Sequence, residues 1–330
     1  MLLCQLEIIF LENDMPASAP IGITTYVRLG HLREAISALK KNLLAKHSDL
    51  YIFSDAPRFG DEEKVEVIRK YVRSIDGFKT VNIIERETND RVANSRGGLC
   101  ELLEKYGRAI FLEEDIITAP GFLCFMNRAL EVYANNDRIF SISGYSPPIK
   151  IPDNYRHDVY FLRRFNGWGF GTWKNRFDRI KYISQYEYER FKADKERVKE
   201  FVNGGGADMM RMLRKDACGE IDAGDVKAMY AQFLADQYTV YPVHSLVRNI
   251  GHDGTGVHCV NSNRFDVDLW EKVSGFVFVS NISPDNRIIK ENLKFRNSYK
   301  NTVRRVAGRA RRMGIRLYET LARYLAGKKY

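Results

Sequence analysis

The chain has 330 residues, 45% of them apolar and 12% aromatic, enough to bury the core of one large α/β domain or two modest ones and too apolar for a disordered chain. Its net charge of +10, from 52 Lys+Arg against 42 Asp+Glu, points toward a polyanionic partner, but residues 293–330 alone hold 12 Lys+Arg against one acid, Glu319, and the rest is near neutral. Scattered Cys4, Cys100, Cys124, Cys218 and Cys259, with no C-x-x-C pair, argue against a disulfide framework or a Cys-rich zinc site and for a reducing compartment, and no apolar run of 18 residues offers a membrane span.

The opening MLLCQLEIIFLENDMP is apolar but acidic and lacks a basic start, so residues 1–19 read as an N-terminal extension and not as a secretory signal. From residue 20 strands and helices alternate. IGITTY (21–26) is a β-branched strand, and Leu32, Ile36, Leu39 and Leu43 mark a helix over 30–46. DLYIFSD (49–55) is a strand and 61–75 a surface helix with an acidic start; FKTVNIIE (78–85) is a strand and 91–106 a helix. RAIFLEED (108–115), the helix 119–136 and RIFSISGY (138–145) complete the series. This alternation predicts right-handed βαβ units and a mostly parallel sheet. Residues 146–178 are rich in Pro, Gly and aromatics and read as irregular; 184–201 is a charged helix, 225–236 another helix, TVYPV a strand, and 248–261 a Gly-rich loop.

Parallel sheets bind ligands beyond the carboxyl ends of their strands, and the polar residues fall there: Tyr26 and Arg28, Ser54 and Asp55, Glu85 and Arg86, then Glu113, Glu114 and Asp115. The loop TTYVRLGH has neither a dinucleotide fingerprint nor a Walker loop. Three carboxylates at the end of a buried strand repel one another, a cost that a divalent cation bridging a diphosphate removes. The plainer alternative is that they favour the dipole of the next helix.

FLEEDIITAPGFLCFMNRALEVY (111–133) resembles the acidic-motif strand and following helix of glycosyltransferases with the GT-A fold, notably the N-acetylglucosaminyltransferase I type in a bacterial-like form. TTYVRLGHLREAISAL resembles their first strand–helix unit, FNGWGFGTWKNRFD their aromatic acceptor-side loop, and EIDAGDVKAMYAQF with YPVHSLVRNIGHDGTGVH their catalytic-carboxylate segment and C-terminal loop. The resemblance covers about residues 20–260. It implies a GT-A, Rossmann-like α/β fold: a nucleotide-sugar half over 20–145, an acceptor and catalytic half over 146–265, a connecting segment over 266–292 and a basic tail over 293–330. It further implies an inverting, metal-dependent transferase taking a UDP-sugar, for instance UDP-GlcNAc, with Mn²⁺ or Mg²⁺. Asp115 is then the metal ligand, with His258 a further metal or diphosphate contact. Glu113 and Glu114 serve the ribose and donor sugar, and Tyr26, Arg28 and Asp55 the nucleotide base and ribose. Asp225 matches the general base, with Asp222 its rival. The residue before the base is usually Trp and here is Gly224.

Arg86 and Arg96 are candidates for the leaving diphosphate, and Trp168, more than Trp173, for a sugar-stacking platform. A carboxylate taking the proton of an acceptor hydroxyl, opposite the leaving group, gives inversion at the sugar. In the tail, Val303, Val306, Ala310, Met313, Leu317, Leu321 and Leu325 form one helical stripe among arginines, which predicts a basic amphipathic helix on an anionic membrane. The expected protein works in polysaccharide biosynthesis, peripheral on the cytoplasmic face, with a glycan or lipid-linked acceptor and no nucleic acid, and is compatible with a homo-oligomer. The competing readings are a nucleotidyltransferase or other nucleotide-sugar enzyme, and a non-catalytic membrane or nucleic-acid adaptor working through the tail.

Overall fold

The structure, a computed structural model, describes residues 18–255 and 262–297. The predicted tail helix over 299–326, residues 1–17 and His258 lie outside the described residues.

The alternation read from the sequence is present. Strands β1 (Ile21–Thr25), β2 (Asp49–Ser54), β3 (Thr80–Glu85) and β4 (Arg108–Glu113) are joined by helices α1 (Leu29–Lys40), α2 (Glu62–Val72) and α3 (Gly98–Tyr106). A short strand β5 (Ile116–Thr118), helix α4 (Phe122–Val132) and strand β6 (Ile139–Ser143) follow. Within the strands, side chains alternate between the two faces. Ile21, Ile23, Ile110 and Leu112 pack with Leu32, Ile36 and Leu39 of α1 and with α4, while Ala109 and Phe111 face Leu99, Leu102 and Leu103 of α3. Gly22 permits this close packing, because a Cβ there would stand 2.5 Å from the Phe111 ring.

The sheet is mixed: six of its eight strands run one way, in keeping with the expected mostly parallel arrangement, and two run against them. Its order is β3-β2-β1-β4-β8-β6-β9-β7, with β7 at Val159–Leu162, β8 at Phe170–Trp173 and β9 at Tyr238–Pro242. The pairings of β1 with β2 and β4, β2 with β3, and β6 with β9 are parallel; β8 runs antiparallel between β4 and β6, and β7 antiparallel to β9. The segment read as an aromatic loop therefore supplies a strand to the middle of the sheet. Its Phe and Trp residues suit a pleated surface, and Gly171 lies against Met126 and Leu130 of α4, where a side chain would crowd.

The charged helix expected over 184–201 divides at Asp194 into α6 (Gln185–Ala193) and α7 (Lys195–Gly205), after the single turn α5 (Lys174–Phe177). Ser184 and Glu187 form a capping box at the start of α6, and the Asp194 carboxylate accepts from the Arg197 N–H at the start of α7. Helix α8 (Ala207–Ala217), absent from the sequence reading, and α9 (Gly224–Leu234) pack on the same face of the sheet as α3. Strand β10 (Val247–Asn249) pairs antiparallel with β5, and α10 (Asn286–Asn297) closes the described chain. Strand order reverses around β1 and β4, so their carboxyl ends open one crevice.

Candidate active site

That crevice holds the acidic motif. Glu113 ends β4 in register with Thr24 of β1, and Glu114 and Asp115 form the turn into β5. Arg28, immediately before α1, reaches both: its Nε donates to Glu114 Oε1 at 2.8 Å and its terminal nitrogen to Asp115 Oδ2 at 2.7 Å. Burial opposes the Arg28 charge, but Glu114 and Asp115 outweigh it and hold the guanidinium more firmly protonated. Burial pushes Glu114 up to about 7, with Arg28 pulling the other way. Asp115 Oδ1 is buried without a hydrogen-bond partner, the kind of atom for which a bound ion is a physical explanation.

The loop after β10 closes over this motif. The Ile250 N–H donates to the Asp115 carbonyl at 2.9 Å, and a Cβ on Gly251 would stand 2.0 Å from Asp115 Oδ2. Arg28 holds that carboxylate from the other side, so it has little freedom to retreat. Gly251→Ala is therefore expected to cost about 1–3 kcal/mol of stability by overpacking, read as a lowered midpoint in urea unfolding.

Glu113 points the other way, into a cleft of about 160 Å³ whose lining includes Arg91, Arg96, Gly167, Asp222, Asp225 and Lys227. Glu113 and Asp225 are both exposed to this cleft, while protein crowds around it closely. That crowding, then Asp115, Asp225 and Glu114, push the Glu113 carboxyl up to about 8. Asp225, in the first turn of α9, is likewise raised by the surrounding protein, against the pull of Arg164 and Arg296. Its position at a helix N-terminus favours its negative charge. Among the described residues its carboxylate takes no hydrogen bond, and Gly167 leaves it room: a Cβ there would meet Asp225 Oδ1 at 2.8 Å.

Asp222 is placed differently. Its carboxylate pairs with the buried Lys227 ammonium, which also lies 3.3 Å from Asp216. This ion cluster ties the start of α9 to α8. Of the two acids at the start of α9, Asp222 is therefore engaged in an ion cluster, while Asp225 lines the cleft unpaired among the described residues.

The remaining expected residues are scattered around the crevice. Asp55 accepts from the N–H groups of Ala56 (2.9 Å) and Asp90 (3.1 Å) and from Asn89 Nδ2 (3.2 Å), so it binds the end of β2 to the loop after β3. The Tyr26 hydroxyl donates to Asp61 at 2.8 Å. Arg86 pairs with Glu101 at 2.8 Å and lies over the Phe53 ring. Arg96 lines the cleft and stacks over Tyr182. Trp168 packs edge-on against Tyr145, His252 and Phe265, with centroids 4.8–5.5 Å away, in an aromatic cluster of its own. Trp173 is buried beneath the Arg176 guanidinium.

Sequence reasoning missed Arg91. It lines the cleft near Glu113, and among the described residues it makes no hydrogen bond or ion pair. A lone Arg at the very start of a helix, off its apolar stripe, has no periodic signature to reveal it. A short π-helical segment, Ala93–Gly97, leads from it into α3, a backbone irregularity frequent at functional sites. Among the described residues no group of three His, Cys, Asp or Glu is arranged to hold a metal.

No protein-family model and no curated protein matches the chain. Three of the solved structures with similar coordinates are the following. S. aureus TarS is 8% identical over 77% of this chain and 41% of its own, with a TM-score of 0.39. The mannosyltransferase PcManGT from Pyrobaculum calidifontis, in complex with GDP-Man and Mn²⁺, is 10% identical over 71% of this chain and 76% of its own, with a TM-score of 0.38. GalNAc-T7 with UDP, GalNAc and Mn²⁺ is 9% identical over 70% and 43%, with a TM-score of 0.44. The chain thus spans less than half the length of TarS and of GalNAc-T7. At these scores, what the chain does has to be argued from its own residues.

Proposed function

We propose that the chain is an inverting glycosyltransferase that moves a sugar from a nucleotide-sugar, with UDP-GlcNAc a fitting donor, to a hydroxyl of a glycan or lipid-linked glycan. The observation that carries this reading is the shared crevice: Glu113 at the end of β4 and unengaged Asp225 at the start of α9 line one cleft, beside Asp115 with its orphaned oxygen.

In this reading Asp225 takes the proton of the acceptor hydroxyl as the new bond to the sugar forms and the nucleoside diphosphate departs on the opposite face. Its raised carboxyl brings its basicity closer to neutrality. Arg91 and Arg96 give the cleft positive charge toward a leaving diphosphate. Glu113 and Glu114 hold the ribose and donor sugar, and Tyr26 and Asp55 shape the edge where the base lies. Asp115 fits a Mg²⁺ or Mn²⁺ site of the kind that uses one or two carboxylates plus phosphate oxygens, because Oδ1 is a buried acceptor with nothing else to accept from. When bound, such an ion would offset the negative charge of the departing diphosphate. Residues 293–330, rich in arginine, would hold the enzyme peripherally on an anionic, cytoplasmic membrane face. Among the described residues no helix is long and apolar enough to cross a membrane.

Calorimetric titration with UDP-GlcNAc, UDP-Gal, GDP-Man and dTDP-Glc, each with Mn²⁺ and with EDTA, tests the reading. Saturable binding of at least one donor that weakens in EDTA is expected; no binding by any of them removes the proposal.

A further inference from the structure

A second hollow, of about 380 Å³, lies outside the crevice and within the roughly 300–1,000 Å³ of ligand sites. We infer that it binds the negatively charged units of an anionic oligosaccharide, as a distal subsite for the acceptor of the proposed transfer. This rests on the reading of the chain as a glycosyltransferase.

Charge is the first argument. Arg179, Lys181, Arg190 and Arg197 line the hollow. Among the described residues, Arg179, Lys181 and Arg190 make no side-chain ion pair or hydrogen bond, and Arg197 has only a loose 3.8 Å approach to Glu200. The two carboxylates present are already engaged in helix caps. Glu187 accepts from the Ser184 N–H at 2.8 Å and hydroxyl at 2.7 Å, and Asp194 from the Arg197 N–H at 3.0 Å. The hollow is therefore net positive, with four cations against two carboxylates; Lys181 feels Glu187 only through space, without a hydrogen bond, and Arg179 and Arg190 have no ion pair among the described residues.

Continuity is the second. Helix α9 carries Asp225 and Lys227 in the crevice and, further along, Tyr230, Ala231 and Leu234 in the hollow. At 1.5 Å per residue, Asp225 and Ala231 are about 9 Å apart along the axis. Tyr182 stands at the boundary: Lys227 and Arg96 both lie over its ring, yet it remains 64% exposed and lines the hollow. An exposed ring between the reacting hydroxyl and a cationic pocket suits a sugar chain, whose apolar ring faces pack on aromatics while its carboxylates or phosphates meet arginine.

The test is calorimetry on the full chain with hexagalacturonate, neutral maltohexaose and a short single-stranded RNA. The variants are the triple Arg179→Ala/Lys181→Ala/Arg190→Ala and, as a milder second, Lys181→Glu, with folding checked by circular dichroism. Hexagalacturonate is expected to bind better than maltohexaose, and to weaken about tenfold in the triple variant, as the sum of three modest exposed contacts. RNA, which the basic tail also attracts, should change little. Unchanged hexagalacturonate affinity in both variants, equal binding of maltohexaose, or an equal loss for RNA would overturn the inference. UDP with Mn²⁺ is titrated on the same samples. Failure of UDP to bind counts against the transferase reading, whereas loss of the hexagalacturonate difference alone counts against the hollow.

Discussion

Asp225→Asn is expected to lower sugar transfer by about two to four orders of magnitude while leaving donor affinity unchanged. The amide keeps the size of the side chain but cannot take the acceptor's proton. Nothing structural should be lost with it, because among the described residues the Asp225 carboxylate holds no hydrogen bond and opens to the cleft. The neighbouring Asp222 offers the contrasting control. Asp222→Asn removes one of the two anions around buried Lys227, so its effect should fall on the stability of α8 and α9 more than on the reaction step. Steady-state kinetics separates the two, with kcat collapsing in the first variant and thermal midpoint falling in the second. A normal kcat for Asp225→Asn would remove this residue from the chemistry.

Asp115→Ala is expected to weaken nucleotide-sugar binding in Mn²⁺ by about a hundredfold or more, since a metal at a diphosphate contributes several kcal/mol and each tenfold is about 1.4 kcal/mol. In EDTA the wild type and the variant should bind alike. The variant keeps the Arg28–Glu114 pair, so the turn after β4 retains one of its two ties to α1. Mn²⁺-dependent binding that survives unchanged in Asp115→Ala would place the ion elsewhere.

The first half of the fold was legible because each unit carries its own local signal. Apolar β-branched runs such as IGITT and DLYIFS, separated by helices with period-3.6 apolar positions, need no distant partner to be recognised. The acidic motif was legible for the same reason, as three carboxylates ending such a run. The second half depends on distant partners. FGTW becomes a strand because β4 and β6 present open edges on either side of it, which no local pattern in a Gly- and aromatic-rich segment declares. Non-local pairing also separates the surroundings of Asp222 and Asp225. Both are acids at the start of a predicted helix, and only the packing of α8, which brings Asp216 to Lys227, commits Asp222 to an ion cluster. Arg28 shows the same limit: its pairing with Glu114 and Asp115 spans 86 and 87 residues of sequence, which no local pattern declares.

Single displacement of a nucleotide-sugar at the Glu113–Asp225 cleft inverts the anomeric centre. Proton NMR of the sugar freshly released or transferred from an α-linked UDP-sugar in Mn²⁺ reads that inversion. The β-anomer is predicted from the wild type, with Asp225→Asn giving almost no product. The α-anomer, or undiminished turnover by Asp225→Asn, would contradict it.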